Sequence, residues 1–136
     1  MYSSVSDIER LISRRTLAQL TDDDAGAEVT VDVVNEAIVA ADEVIDAHLR
    51  GRYSLPLPET PPILRQLSVN IAVFHLYSRR PEGEMPETIG IRYKNAIKII
   101  ESIRDGKLTI GDTEGEKTPE PGTYKTNKTQ DQRMFG

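Results

Sequence analysis

Apolar positions along this chain recur with helical spacing in three long stretches. Val34, Ile38, Ala41, Ile45 and Leu49 follow one another at helical steps, which predicts a helix over about Asp32 to Arg50. Leu64, Leu67, Ile71 and Phe74, broadened by Ala72 and Leu76, predict a second from about Pro61 to Ser78, ended by the basic turn Arg79-Arg80 and by Pro81. Tyr93, Ala96, Ile97, Ile100 and Ile103 predict a third from about Pro86 to Asp105, closed by Gly106. Ahead of these, Ser6-Asp7-Ile8-Glu9 has the spacing of a capping box, so a short helix is expected there with Ile8, Leu11 and Ile12 turned inward. A second short helical piece is expected around Arg15 to Leu20, broken by Thr21-Asp22-Asp23-Asp24 and Gly26. Ala37, Ala40, Ala41 and Ala47 are small enough for another helix to approach the first long one closely. Leu108 to Gly111 reads as a short extended segment on the surface, and strand-like alternation is absent elsewhere. The expected fold is all-α: a small bundle of three long helices plus one or two short N-terminal helices, with an extended C-terminal tail.

The sharpest local signal is Ile45 to Leu57, where a helical stripe stops at Gly51 and a stiff aromatic-proline segment begins. Gly51 is expected in the left-handed conformation that closes a helix, with Arg50 and Arg52 placing positive charge at its electronegative end. Pro56 and Pro58 should hold the connection extended. Thr60 would supply a capping hydroxyl and the prolines after it the first turn of the next helix. Arg52, Tyr53 and Pro56 thus form a structural corner, expected to fix the angle between the first two long helices. The Arg52 guanidinium is suited to clamping carbonyls or a carboxylate.

Composition narrows the chemistry. The 136 residues are enough for one domain with a real core. With no cysteine, disulfides and thiolate metal sites are ruled out. The start lacks the pattern of a signal peptide and no apolar run suits a membrane span, so the protein is expected to be soluble and intracellular when made. A net charge of -5 opposes adhesion to duplex DNA, which is driven by phosphate neutralisation. His48 and His75 lack a partner at metal-pair spacing, and both read as structural histidines. Asp22-Asp23-Asp24 departs from a calcium loop in its glycine and in its missing glutamate. No phosphate-cradling loop or nucleophile elbow occurs. No catalytic, metal or cofactor site is expected, and Asp46 with Arg50 reads as an exposed i, i+4 pair worth a few tenths of a kcal/mol, on the order of other such pairs.

From Asp112 the composition turns to Gly, Pro, Thr, Lys and Glu, which divides the chain into a helical domain over residues 1–111 and a tail over residues 112–136. The tail ends with Arg133, Met134 and Phe135 side by side. On composition alone, a docking peptide and a tail without a role stand level.

Taken together, Tyr2 before a capped helix, the acidic loop at Thr21-Asp22, the run Ile45 to Tyr53 and the following Leu55-Pro56-Leu57 resemble the head-to-tail connector proteins of tailed phages, in the branch of the phage Mu neck protein. Ile71 to Tyr77 is similar to that family's second helix, Tyr93 to Ala96 to its third, and Arg133-Met134-Phe135 to its C-terminal tail motif. The resemblance implies a non-enzymatic structural component of the virion neck, made in the host cytoplasm. It would assemble as a ring of copies of itself, commonly about twelve, closed by contacts that repeat around the ring. Its partners would be the portal protein and the next neck or tail component, with DNA passing through the channel without sequence-specific binding. Arg133, Met134 and Phe135 would then be the partner-binding residues. Glu36, Asp42, Glu43, Arg65, Arg92 and Lys98 are expected on exposed helix faces where opposite charges set the register between copies. The competing reading is a helical regulatory domain that recruits a partner through its tail.

Overall fold

A computed structural model describes residues 1–24, 28–80 and 83–111. Five helices follow in order: α1 (Val5–Glu9), α2 (Arg14–Thr21), α3 (Val31–Leu49), α4 (Pro62–Ser78) and α5 (Glu87–Arg104), with no strand among the described residues. The fold is all-α, and its three long helices pack pairwise around one core.

Each long helix buries one stripe. On α3 this is Val34, Ile38, Ala41, Ile45 and Leu49, all fully buried. Leu64, Leu67 and Ile71 of α4 and Ala96, Ile100 and Ile103 of α5 complete the centre. The small buried residues Ala37 and Ala41 of α3 and Ala72 of α4 suit the close approach of these two helices; Ala47 points outward and Ala40 is half-buried. Phe74 of α4 and Tyr93 of α5 stack with ring centroids 3.8 Å apart and planes 12° from parallel. That contact joins the outer halves of two helices whose cores already touch.

Several local expectations need correction. The capping box belongs to Ser4 and Asp7: the Ser4 hydroxyl accepts from the Asp7 N–H, and the Asp7 carboxylate accepts from the Ser4 N–H. Two serines precede an acid at the same spacing here, and starting at Ser4 sets Ile8 wholly inside while Glu9 is left to pair with Arg14 at 2.6 Å. Gly51 does not close α3 in the left-handed region; among the described residues only Gly106 and Gly111 have positive φ. The Leu49 carbonyl ends α3 instead, accepting from the N–H groups of Arg52 at 2.8 Å and Tyr53 at 2.9 Å. Thr60 caps nothing: Pro61 is the N-cap of α4 and Pro62 its first residue, so a position whose N–H would be an orphan has none. The Leu55–Pro56 peptide bond is cis.

The acidic loop after α2 is tied to the end of α4. Arg79 donates to the Leu20 carbonyl at 2.5 Å and to both Asp23 carboxylate oxygens, while Arg80 donates to Asp23 at 3.3 Å and to the Asp22 carbonyl at 3.4 Å. The Thr21 hydroxyl donates to the Leu17 carbonyl and accepts from the Thr30 N–H, binding the end of α2 to the start of α3. A carbonyl in the last turn of α2 is thereby met by an arginine, and the Asp23 carboxylate is shared between two guanidinium groups.

His75 sits half-buried on α4, and its Nε2 is enclosed with no hydrogen-bond partner among the described residues. Burial lowers its pKa below the ordinary value of 6.5. The unfolded chain therefore takes up the proton more readily, so this group's contribution to stability is present above about pH 6.5 and lost as pH falls through the depressed folded value. Thermal melts from about pH 7.5 to about pH 5 should show falling stability, and His75→Phe should flatten the dependence over that range. An unchanged profile in the variant would assign the acid sensitivity to other groups.

Candidate functional site

The first residues of the chain are tied to the middle of the bundle. Asp42 and Asp46, one turn apart on α3, face the N-terminal segment. The Tyr2 N–H donates to Asp42 Oδ2 at 2.9 Å, and the Tyr2 hydroxyl donates to Asp46 Oδ1. The Ser68 hydroxyl of α4 donates to Asp42 Oδ1 at 2.8 Å and lies 2.6 Å from the buried Ser3 hydroxyl. Burial raises the Asp42 pKa, against the pull of the hydrogen bonds from Tyr2 and Ser68, and burial followed by the bond to Asp46 raises that of Tyr2. Asp42 is thus committed to this network and is not a free charge on an exposed face, contrary to its place in the charged set read from sequence. Its partners lie 40 residues before and 26 after it, a distance that periodicity does not span.

Beyond this strap, a cavity of about 460 Å³ is lined by Met1, Tyr2, Asp42, Asp46, Arg50, Leu55 and Pro56. It joins the N-terminal segment to the corner. There Tyr53 is buried to 1% exposure and its hydroxyl accepts from the Ile110 N–H at 3.3 Å. Arg52 reaches across to α5, its Nη1 donating to the Ile103 carbonyl at 2.7 Å and the Leu108 carbonyl at 3.2 Å. The guanidinium carbon lies 5.4 Å from the Tyr53 ring centroid. Gly106, at φ +83°, turns the chain beneath this guanidinium, and the N–H groups of Lys107 and Leu108 return to the Ser102 carbonyl. Pro56 is exposed at the rim. The corner therefore grips the end of α5 and the segment to Gly111. Arg133, Met134 and Phe135 lie outside the described residues.

Two outward faces differ in charge. On α3, Asp32, Glu36, Val39, Glu43 and Ala47 form one exposed stripe, Val39 being 43% exposed. The helix carries five carboxylates and neither lysine nor arginine. Elsewhere, α1 and the turn after it, α4 and α5 frame a groove of about 350 Å³. Leu11 and Val69 are half-buried in it, and Arg10, Arg65 and Arg92 stand at its rim beside Gln66 and Asn70. A second depression of about 230 Å³ continues it along α5 past Asn95 and Ile99. Arg10 lies 3.7 Å from Asp7, whereas Arg65 and Arg92 make no ion pair among the described residues. No cluster of three or more potential metal ligands and no helix able to cross a membrane occur among the described residues.

An all-α body with the run Arg52-Tyr53 to Pro56 at its corner is the setting in which comparison with known proteins becomes specific. The chain matches the family described as Bacteriophage Mu, Gp36 over residues 2–128, and it belongs to that family. It is similar to Gene product J of Escherichia phage Mu, 29% identical over 111 residues that make up 81% of this chain and 76% of the relative. It is also similar to the Mu-like prophage FluMu protein gp36 of Haemophilus influenzae, 30% identical over 87 residues, 64% of this chain and 59% of that relative. This is a phage-type protein. The matched stretch spans every described helix, and Arg133, Met134 and Phe135 lie beyond it.

The corner makes two quantitative expectations. Tyr53→Ala should lower the unfolding free energy by about 3–5 kcal/mol, as truncation of a buried aromatic does, while Tyr53→Phe, which keeps the ring and removes one hydrogen bond, should cost about 1 kcal/mol. A Tyr53→Ala melting temperature within a degree or two of wild type would contradict the burial. Separately, Arg52→Lys should raise amide exchange at residues 106–110 more than in the middle of α5, since a flexible ammonium does not reproduce the fixed position of the planar Nη1 group that meets both carbonyls. Uniform exchange across α5 in the variant would mean that Arg52 does not hold this end.

Proposed function

We propose that this protein is a structural head-to-tail connector of a tailed phage, a non-enzymatic adaptor that assembles as a ring of its own copies below the portal and lets DNA pass. It would be made in the host cytoplasm and reside in the virion neck. Membership of the Bacteriophage Mu Gp36 family supports a phage role. The observation that carries the finer reading is the pairing of a tied body with unspent surfaces. The N-terminal strap, the Arg79 clamp and the Arg52 clamp secure the chain internally, while the acidic α3 stripe and the arginine-rimmed groove stay available. A part that must seat between larger assemblies needs such fixed geometry and charged faces that set register. Small repeated contacts then sum to a stable ring through closure.

In this reading, residues 112–136 form a docking segment, with Met134 and Phe135 filling a pocket on a neighbouring subunit or the portal and Arg133 bonding at its rim. The overall negative charge suits a channel that does not retain DNA.

Size-exclusion chromatography with light scattering, on the protein alone and with a portal, tests the assembly. A ring-sized species is expected, and a one-to-one complex or a persistent monomer would favour the recruiting-domain reading. Removing residues 131–136 should leave the melting temperature of the helical body unchanged while abolishing stable attachment to heads. Normal attachment by the truncated chain would sink the docking role.

A further inference from the structure

We propose that copies of this chain join head to tail, the acidic stripe of α3 on one copy seated in the arginine-rimmed groove between α1, α4 and α5 of the next. The proposal rests on the ring reading above and names the contact that builds it.

The two surfaces are distinct. On a helix advancing 3.6 residues per turn, Asp32, Glu36, Val39 and Glu43 centre about 160° from Val34, Ile38, Ala41 and Ile45, which point into the core. On α4, Arg65, Gln66 and Val69 lie on the side opposite Leu64, Leu67 and Ile71, which meet the same core. Stripe and groove are therefore separate faces, each turned away from the core on its own helices. Two copies joined through them use unlike patches, and a contact between unlike patches leaves one free stripe and one free groove at the ends. Such an arrangement propagates and forms a ring when its rotation closes.

Charge selects this pairing over the alternatives. Asp32, Glu36 and Glu43 make no ion pair among the described residues, and neither do Arg65 and Arg92. Stripe against stripe sets carboxylates against carboxylates, and groove against groove sets guanidinium against guanidinium, each disfavoured in a close interface. Stripe against groove satisfies both. Shape agrees with charge: Val39 stands exposed between Glu36 and Glu43, and the groove offers the apolar side chains of Leu11 and Val69 between its arginines. A valine flanked by carboxylates faces an apolar floor flanked by guanidinium groups, so one contact buries apolar surface and leaves the ion pairs at its rim, the usual division of an interface. Asp42 and Asp46 stay out of it, held by Tyr2 and Ser68.

The cysteine-free chain permits a direct test by cross-linking. Full-length Val39→Cys and Val69→Cys variants, each carrying a single thiol, are mixed under mild oxidation in conditions where the wild type assembles. Disulfide-linked dimers containing one of each variant are expected to exceed the same-variant dimers by about tenfold. Dimers formed equally well by Val39→Cys alone, or by Val69→Cys alone, would overturn the polarity. In parallel, Glu36→Lys with Glu43→Lys, or Arg65→Glu with Arg92→Glu, should weaken assembly by about tenfold or more at low salt, and the variant carrying all four should regain it. Circular dichroism confirms that each variant remains folded. Single-face variants that assemble as the wild type does overturn this contact and leave the ring reading standing; a wild type that stays monomeric even with a portal overturns the ring reading itself. Loss of assembly on deleting residues 112–136, with both charge variants unaffected, would assign the groove to the chain's own C-terminal segment.

Discussion

The tie between the corner after α3 and the chain leaving α5 is the interaction around which this structure is arranged. The backbone turn after α5 meets the last helix carbonyls, and one guanidinium adds a donor to the carbonyl of Ile103 and meets that of Leu108 beyond the helix. To stand in that position Arg52 must follow α3 without a break. The short turn from Leu49 through Tyr53 provides this, and the buried Tyr53 ring beneath the guanidinium fixes its height. The same ring carries the hydroxyl that takes the Ile110 N–H. One corner therefore joins the end of α3, the end of α5 and the last described residues.

The N-terminal strap and the Arg79 clamp apply the same solution elsewhere. Each uses side chains on or just past the long helices to meet polar groups of a segment with little core of its own: Asp42 and Ser68 for Tyr2 and Ser3, Arg79 for Leu20 and Asp23. Short helices such as α1 are marginal in isolation. Here they persist because Ile8 and Leu17 reach the core and because their ends are bonded to longer elements.

The sequence was most legible where burial has a period. All three long helices could be read to within a residue or two, since each buries a single stripe and the spacing of Val34 to Leu49 or Leu64 to Ile71 admits no other element. It was less legible where two local solutions compete, as at Ser4 and Ser6, each followed by an acid three residues on. At Gly51 a glycine was present but its special conformation was not required, because the helix end was met by N–H groups further along the chain. The ties that hold the body were least legible. Arg52 bonds to backbone carbonyls, which have no identity in a sequence, and Asp23 meets an arginine 56 residues away. Of the charged set read as exposed, Asp42 left it for the same reason: its partners are remote in sequence.

The Arg52 clamp also decides how the body would bear a load. Tension applied to the chain at Gly111 meets the bonds from Arg52 to Ile103 and Leu108 and the Tyr53 bond to Ile110 before it reaches the turns of α5. These bonds lie within a few residues of one another and anchor on the end of α3, so a pull is shared among them and passed into the longest helix of the bundle. The last turn of α5 is spared from being peeled away residue by residue. A segment leaving the body at this point is rooted in α3, although the chain enters it from α5.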